Sequence, residues 1–481
     1  MAWKRLATRR LIALSALVGL VGLAGFAGPA SATRPTHRLI DMVSGVVRFD
    51  PRLYSSAGGG ASSIPSVRTL LTNVNTTNQA NPQNETTIDI NPLNPKIRVG
   101  GINDYRFGDA NCGFTHSSDG GKTWTSGILL GVTKGHPGAP FDYDAAGDPT
   151  VFYGDNGTVY YGCLAFDRSF IRSAMLIAKS TDGGATWSTP VAVAQSNVNT
   201  LFHDKEMITV DNSPASPFHG RVYMAWTEFV GPPDNSMSRE VISRSRDGGA
   251  TWSKPVVLSG ALANVEGSHP VVGPDGTVYV AWCGGPSICE NTGAGTIFVT
   301  RSSDGGRTWS APVPAVNFQS VPSPLPGNNF RLNSFPIAAV NPVNGDVYVS
   351  YPGMGRLHTN IYFIRSSDQG KTWSSPVKMK ASEDQFFQYM RVSPTGTIWL
   401  CYYDQQWNTG TLLDYSCASS TDGVSFTKSM RMTTQSSNPA SDGFGGQFIG
   451  DYSGLALDGG GHPHPLWTDT RTGNADAWTA N

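Results

Sequence analysis

The 481-residue sequence lacks a strong excess of either charge. Charged residues make up 15% of the chain, and 35 Lys+Arg against 36 Asp+Glu leave a formal net charge of −1. Nucleic acid and anionic membrane surfaces attract proteins through a basic excess, so the composition supports neither partner. Neutral polysaccharide, glycoconjugate and protein remain as partner classes.

A helix-favouring composition is also missing. The 55 Gly and 32 Pro together form about 18% of the chain, against roughly 12% in average proteins. Both residues disfavour helix interiors, so the composition argues against a mainly helical protein. Aromatic residues reach 10%, with 12 Trp, which allows a large buried core and argues against disorder over most of the chain.

Long hydrophobic runs are absent beyond the N-terminal region. There, four basic residues precede an apolar stretch at residues 11–27, and an Ala30-Ser31-Ala32 cleavage motif follows it. This order predicts a signal peptide over residues 1–32, with a signal anchor as the alternative. We therefore expect a secreted, extracellular protein with no membrane span after signal removal. The Arg9-Arg10 pair leaves general secretory and twin-arginine export both open.

The chain repeats an eight-residue motif whose aspartates are 54 to 65 residues apart. Asp and Ser side chains accept hydrogen bonds from nearby backbone N–H groups, and glycine adopts positive φ. Each octet is therefore predicted to be a turn between two strands, with its Trp folded over the turn. The octets are Ser117–Trp124, Ser180–Trp187, Ser245–Trp252, Ser302–Trp309 and Ser366–Trp373, with a shorter copy at Ser420–Phe426.

A second repeat precedes each later octet and has the β-branched and aromatic content of a buried strand. With a shorter apolar run before it, each unit contains four antiparallel strands, which is typical of a β-propeller blade. We predict an all-β protein with seven blades favoured and six as the alternative. The propeller covers residues 85–481. Residues 33–84 form a Ser/Asn/Gly-rich segment, from which a strand within 39–49 or 67–74 completes the last blade.

No cysteine pair has the C-x-x-C spacing of a zinc site. An even number of cysteines in an exported chain predicts disulfides, with free buried thiols as the alternative. The blade register predicts the pairs Cys401–Cys417 and Cys283–Cys289 and, by elimination, Cys112–Cys163.

The octets resemble the Asp-box, or BNR repeat, of the sialidase (neuraminidase) superfamily, and the resemblance covers roughly residues 84–481. It implies octets on the side of the propeller away from an active site that contains an arginine triad, an aspartate acid/base, and a tyrosine nucleophile paired with a glutamate. The segment Asp451-Tyr452-Ser453-Gly454-Leu455 resembles the tyrosine segment of that family. The R-I-P arginine motif is absent, and Tyr105-Arg106-Phe107-Gly108 comes nearest to it.

The strand order also predicts where functional residues meet. If the octets lie at the bottom, the starts of the innermost strands and the ends of the second strands share the top face. Glycoside hydrolysis uses a proton-donating acid and a second group that attacks or activates water, and such groups concentrate at this face. The catalytic candidates are Asp148, Glu206, Asp451 and Tyr452. The substrate-binding candidates are Arg106, Arg168, Asp204, Lys205, His269 and Arg471.

These observations favour an exported, monomeric, sialidase-like glycoside hydrolase that acts on glycans or glycoconjugates and requires no cofactor. Ca²⁺ held by the axial carboxylates is an alternative, without an assigned ligand set. The missing R-I-P motif favours a second hypothesis, a non-catalytic propeller that binds glycan or protein. Three arginines converging beside Tyr452 would favour a sialidase, whereas carboxylates alone would favour another glycosidase or a metal.

Overall fold

The computed structural model describes residue 48 and residues 71–135, 140–286, 289–408 and 410–481. The described chain folds into seven four-stranded antiparallel sheets arranged as a β-propeller. The prediction of an all-β propeller with seven blades is therefore confirmed. Within these ranges no helix combines the length and hydropathy needed to cross a membrane.

The first four blades follow one another along the chain, each with its innermost strand first. Blade 1 contains β2 (Gln83–Ile90), β3 (Arg98–Asp104), β4 (Asn111–Ser117) and β5 (Thr125–Ile128). Blade 2 contains β6 (Ala145–Tyr153), β7 (Val159–Phe166), β8 (Ser173–Ser180) and β9 (Val191–Ser196). Blade 3 contains β10 (Leu201–Val210), β11 (Val222–Val230), β12 (Met237–Ser245) and β13 (Val256–Val257). Blade 4 contains β14 (Val265–Val272), β15 (Val278–Gly284), β16 (Ala294–Ser302) and β17 (Val313–Gln319).

The remaining blades have the same strand order, and a short 3-10 helix (Pro439–Ser441) lies between the last two. Blade 5 contains β18 (Ile337–Val340), β19 (Val347–Met354), β20 (Thr359–Ser366) and β21 (Val377–Lys378). Blade 6 contains β22 (Gln385–Val392), β23 (Ile398–Asp404), β24 (Asp414–Ser420) and β25 (Met430–Arg431). Blade 7 contains β26 (Gly454–Leu457), β27 (Pro463–Asp469), β28 (Asp476–Ala480) and, as its outermost strand, β1 (Asn73–Asn75).

The N-terminal strand β1 closes the ring. It pairs antiparallel with β28, with Asn73 opposite Ala480 and Asn75 opposite Trp478. This strand overlaps the predicted 67–74 segment, and blade 7 is thereby completed from the N-terminal side as expected. The other candidate segment, 39–49, and the predicted signal peptide, 1–32, lie outside the described ranges apart from residue 48.

Each octet is the turn between the third and fourth strands of its blade. In the first octet the Ser117 hydroxyl accepts from the Gly121 N–H at 2.9 Å, and Asp119 Oδ1 accepts from the Thr123 N–H at 3.0 Å. Trp124 Nε1 donates to the Gly121 carbonyl at 2.9 Å. The octets are therefore turns held by their own Ser and Asp side chains, as the sequence predicts, and their Trp indoles are half-buried.

All six cysteines form disulfides in the three predicted pairs, Cys112–Cys163, Cys283–Cys289 and Cys401–Cys417. The first joins β4 of blade 1 to β7 of blade 2, and the third joins neighbouring strands of blade 6. Disulfides are typical of proteins in oxidising compartments, and this fits an extracellular location.

Candidate functional site

The innermost strands of blades 1, 2, 3, 4 and 6 carry a β-bulge at the same position. In each, two consecutive residues of the innermost strand lie opposite a single residue of the second strand, as Glu85 and Thr86 lie opposite Ile102 in blade 1. Bulges of this kind redirect side chains and are frequent beside active sites. The first bulged residues have positive φ: Glu85 (51°), Asp148 (55°), Lys205 (57°), Gly267 (78°) and Phe387 (45°).

Four of these five residues are not glycine, although positive φ is unfavourable for other residues. Such strain concentrates at functional sites, where the surrounding structure holds it. The bulges thus mark the axial ends of the innermost strands as the candidate functional site, and they turn the side chains of blades 1 to 3 toward one another.

The predicted acids meet at this site in a buried cluster. Asp148, Asp204, Glu206 and Asp451 are between 1% and 4% exposed. Asp148 of blade 2 acts electrostatically on Asp204 and Glu206 of blade 3. Asp148 and Asp451, which precedes the first strand of blade 7, both act on Glu85. Glu85 of blade 1, which is fully buried, completes the cluster. Its place at the start of an innermost strand, equivalent to that of Asp148, is the sequence signal that identifies it.

Two cations balance part of this negative charge. Lys205 is 5% exposed, and among the described residues its Nζ has no hydrogen-bond partner. Burial alone would lower the pKa of Lys205, but the charges of Asp451, Glu85 and neighbouring acids raise it above its ordinary value. Arg331, which the sequence analysis missed, donates from Nε to Asp451 Oδ1 at 3.0 Å. It lies in the long connection between β17 and β18, where no strand pattern points to it.

The environment separates the proton affinities of the clustered acids. Burial and the charge of Asp148 raise the pKa of Glu206 well above its ordinary value, and among the described residues neither of its carboxyl oxygens has a hydrogen-bond partner. Burial also acts on Asp451, but the charges of Arg331 and Lys205 outweigh it and lower the pKa of this carboxyl group. Paired acids with opposed pKa shifts are the usual arrangement for acid and base roles in catalysis.

Tyr452 lies within the cluster but is held as a phenol. Its hydroxyl donates to the Pro149 carbonyl at 3.1 Å. Burial raises its pKa well above the ordinary value, and the charges of Glu85 and Asp148 raise it further. A reactive phenolate is therefore disfavoured in this arrangement.

The predicted arginines pair with aspartates at the top rim. Arg106 binds Asp104 at 2.6 Å, and Arg471 binds Asp469 at 2.6 Å. Both are Asp-x-Arg pairs at the end of a second strand, so a local partner satisfies the guanidinium group. Arg168 donates from Nε to Asp109 Oδ2 at 3.2 Å, and its guanidinium lies 5.2 Å from the centre of the Phe166 ring. These ion pairs hold the three arginines at rim aspartates, whereas Lys205 faces the acids of the central cluster.

His269 lies deeper in the propeller and is neutral. Its Nδ1 accepts from the Ala338 N–H at 3.4 Å, and its ring packs edge-on against Tyr389 at 5.7 Å. Burial and the charge of Arg391 lower its pKa to about 3. His269 is therefore an uncharged lining residue of the axial pocket.

An axial pocket opens beside the carboxyl cluster, with an empty volume of about 370 Å³ that includes space open to solvent. Lys205, Asp451 and Tyr452 line one side, and Phe335 and Phe387 contribute apolar surface. Among the described residues, no group of three or more His, Cys, Asp or Glu side chains is placed to hold a metal ion. The pocket therefore offers apolar surface beside ionisable groups.

The long connection between β25 and β26 packs against the cluster. Phe444 contacts Tyr105 of blade 1 edge-on at 4.9 Å, and the Gln447 carbonyl accepts from the Arg331 N–H at 3.2 Å. Gly450 has φ of 95°, and a Cβ at this position would lie 2.7 Å from the Glu85 nitrogen. Only glycine lets the connection pass this close to Glu85.

Comparisons with known proteins agree with the repeat. Residues 146–344 match the BNR repeat-like domain family, which confirms the resemblance to BNR, or Asp-box, repeat proteins. A xyloglucanase of a Paenibacillus species is 28% identical over 291 residues, covering 58% of this chain and 25% of its own. The xyloglucanase Xgh74A of Acetivibrio thermocellus is 27% identical over 273 residues, covering 54% of this chain and 28% of its own.

The chain thus spans about a quarter of the length of the curated relatives it matches. Among solved structures, the Hadza microbial sialidase Hz136 is similar over 80% of this chain and 73% of its own, with 15% identity and a TM-score of 0.47.

Proposed function

We propose that this chain is an extracellular glycoside hydrolase that acts on neutral glycans at the face opposite the Asp-box turns. The observation that carries the proposal is the opposed proton affinity of Glu206 and Asp451 within one cluster. Glycoside hydrolases use such a pair, one carboxyl group to protonate the leaving oxygen and one carboxylate to attack the sugar or activate water. The similarity to proteins named xyloglucanases supports the same class of reaction.

In this proposal Glu206 is the proton donor, because burial and the charge of Asp148 raise its pKa and neither of its oxygens has a hydrogen-bond partner among the described residues. Asp451 is the carboxylate, kept ionised by Arg331 and Lys205. Asp148 assists Glu206 by raising its pKa.

The remaining predicted residues shape the pocket in this proposal. Asp204 lies beside Asp148 and Lys205, and burial and the charge of Asp148 raise its pKa, which favours its neutral form. Tyr452 and His269 line the pocket as neutral groups. The rings of Phe335 and Phe387 supply the apolar surface on which the C–H face of a sugar ring packs.

The charge of the cluster favours a neutral sugar over sialic acid. The cations of the cluster, Lys205 and Arg331, already act on Asp451 and lower its pKa. A carboxylate brought by the substrate would compete with Asp451 for these two cations. The ion pairs of Arg106, Arg168 and Arg471 with rim aspartates engage the groups that would hold a sialic acid carboxylate.

The test is a screen of the purified chain, with and without chelator, against aryl glycosides of neutral sugars, xyloglucan oligosaccharides and an aryl sialoside. We expect hydrolysis of a neutral substrate, reduced at least about 100-fold by Glu206→Gln and by Asp451→Asn. Glu383→Gln is the matched control, since Glu383 is an exposed rim acid. Binding without turnover of any substrate would favour the non-catalytic propeller, and cleavage of the sialoside alone would contradict the neutral-glycan assignment.

A further inference from the structure

A buried asparagine links the bulged strands of two blades. Asn103 lies on β3 and is fully buried. Its Nδ2 donates to Asn84 Oδ1 at 3.1 Å and to Glu85 Oε2 at 2.8 Å. Its Oδ1 accepts from the backbone N–H of Asp148 at 2.8 Å. One side chain therefore contacts the positive-φ residue of blade 1 and that of blade 2.

The Asp148 N–H fixes the orientation of the Asn103 amide, because only the amide oxygen can accept from it. The NH2 group is then directed at Glu85. A donor at Oε2 is compatible with a carboxylate oxygen or with the carbonyl oxygen of a neutral carboxyl group, but it excludes a hydrogen carried on Oε2. When Glu85 is protonated, its proton must therefore sit on Oε1.

Close packing holds this arrangement in place. A Cβ at Gly147, directly before Asp148, would lie 2.9 Å from Asn103 Oδ1. A Cβ at Gly450 would lie 2.7 Å from the Glu85 nitrogen. Glycine at both positions brings the backbones of blade 2 and of the β25–β26 connection against Asn103 and Glu85, which leaves these side chains little freedom to reorient.

Glu85 faces charged and titratable groups from every neighbouring element. Asp148 of blade 2 and Asp451 of blade 7 raise its pKa, burial raises it most, and Lys205 of blade 3 lowers it. Glu85 in turn acts on Tyr105, Tyr452 and Arg331. A hydrogen bond donated to a carboxylate favours its ionised form, so Asn103 opposes the effect of burial.

We propose that Asn103 is a positioning residue of the site, which fixes the protonated oxygen of Glu85 and holds Asp148 beside it. The inference rests on the proposed glycoside hydrolysis, in which Glu85 is then a titrating partner of the reacting acids. Asn103 acts through Glu85 and Asp148 and does not touch the sugar.

The first test needs no substrate. Carboxyl-carbon NMR on chain labelled in Glu follows the titration of Glu85, whose signal is assigned by its loss in Glu85→Gln. Asn103→Leu should raise the titration midpoint of Glu85 by about 1 to 2 pH units, the effect of losing one charge-assisted hydrogen bond. An unchanged midpoint overturns the proposal.

The matched control is Asn341→Leu. Asn341 is also buried, donates from Nδ2 to the Tyr348 hydroxyl at 3.1 Å and accepts from the Val343 N–H at 2.9 Å, but it lies at the first turn of blade 5 on the octet side. This variant should leave the titration of Glu85 unchanged. A shift of equal size in both variants would overturn a specific role for Asn103.

If Asn103→Leu does not fold, the same hypothesis can be tested by NMR on the wild-type protein. The side-chain amide protons of Asn103 should shift with the titration of Glu85, and this response should vanish in Glu85→Gln. If the chemical shifts of these amide protons do not change across the titration, the proposal is overturned.

The second test uses whichever glycan the screen identifies. Asn103→Leu should lower kcat about 10- to 100-fold with KM changed less than threefold, because Glu85 and Asp148 lose the side chain that positions them beside the reacting acids. An unchanged kcat overturns the positioning role even where the NMR midpoint shifts. If the wild-type protein is inactive on every glycan, the proposed function is contradicted instead. The NMR titration needs no substrate, so it still tests the contact between Asn103 and Glu85 in that case.

Discussion

The Lys205 ammonium group lies 4.0 Å from the centre of the Tyr452 ring. Lys205 belongs to the innermost strand of blade 3 and Tyr452 leads into that of blade 7, so the contact spans the axis of the propeller. A cation over an aromatic face is attracted to it, more strongly when both are removed from water. Four surrounding acids also raise the pKa of Lys205, so its ammonium group is a shared counter-charge for the cluster.

Replacing Lys205 with Met should destabilise the protein by about 3 to 5 kcal/mol at pH 7, because the clustered acids lose their shared counter-charge. The loss should shrink at pH 5, where protons neutralise those acids instead. Urea unfolding at the two pH values measures the difference. Lys254→Met, at an exposed lysine, should have little effect at either pH, and an equal loss for Lys205→Met at both would contradict the electrostatic account.

Replacing Glu206 with Gln should stabilise the folded chain while it removes activity. The pKa of Glu206 is raised in the folded state from an ordinary value of 4.5. As pH rises above about 4.5, the unfolded state releases a proton that the folded state keeps, so unfolding becomes more favourable. Glutamine has no proton to release.

We expect Glu206→Gln to gain at least about 1 kcal/mol at pH 7, since one unit of pKa shift corresponds to about 1.4 kcal/mol. No gain should appear at pH 4. Chemical unfolding at both pH values tests this, with Glu383→Gln as the exposed control. A variant less stable than wild type at pH 7 would show that Glu206 is ionised in the folded protein.

Replacing an octet Trp should weaken the contact between blades without affecting the site. The half-buried Trp187 indole lies 5.6 Å from Phe114 of blade 1 and 5.4 Å from Tyr161 of blade 2. Trp187→Ala should cost about 2 to 3 kcal/mol, below the 3 to 5 of a fully buried Trp. Leu357→Ala, at a residue 74% exposed, is the neutral control. Unchanged stability of Trp187→Ala, or lost activity in its folded fraction, would contradict this role.

The fold could be predicted from sequence because its determinants are local and repeated. Each octet carries the Ser, Asp and Gly that make its turn, so six copies fix six blades and the register between them. The sequence predicted that the strand closing the ring lies within residues 39–49 or 67–74, but it could not decide between the two segments. The reason is that β1 is only three residues long and has no periodicity of its own.

The candidate site was predictable in part. Asp148, Asp204, Glu206 and Asp451 were identified because strand direction brings the starts of innermost strands together. The bulges that turn them inward leave no mark in the sequence, since each arises from one extra residue in the innermost strand relative to its partner strand.

Other residues of the site could not be predicted from the order and direction of the strands. Arg331 comes from an irregular connection, and Asn103 acts from within a second strand. Arg106 and Arg471 were assigned to substrate, but each follows an aspartate by two residues and pairs with it.

In four of the six octets, the residue directly before the octet serine links neighbouring blades on the bottom face. Arg301 donates to the Gln369 carbonyl of the next octet at 2.9 Å. Lys179, Arg244 and Arg365 likewise donate to a backbone carbonyl of the next octet, that of Gly248, Gly306 and Asp422 respectively. Each bond lies near the surface, so Arg301→Ala should cost about 1 kcal/mol or less. Combining Arg244→Ala with Arg365→Ala should be additive within about 0.5 kcal/mol, because the sites share no partner. Arg246→Ala, at an exposed position inside an octet, is the control, and a cost equal to that of Arg301→Ala would contradict the link.

Removing β1 should open the ring. Thr72 and Asn481 exchange two backbone hydrogen bonds, at 3.1 and 3.0 Å, next to the β1–β28 ladder. A chain that begins at Asn78 leaves blade 7 with three strands and exposes the edge of β28, whereas a chain that begins at Leu71 keeps every one of these bonds. We expect the shorter chain to lose several kcal/mol of stability and to aggregate through the exposed edge, while the longer one unfolds like the untruncated chain. Hydrogen exchange should show lost protection first at Thr479 and Asn481, whose backbone amides face β1, and a peptide of residues 71–77 added in trans should restore it. Equal stability of the two truncated chains would show that the ring does not depend on β1 for closure.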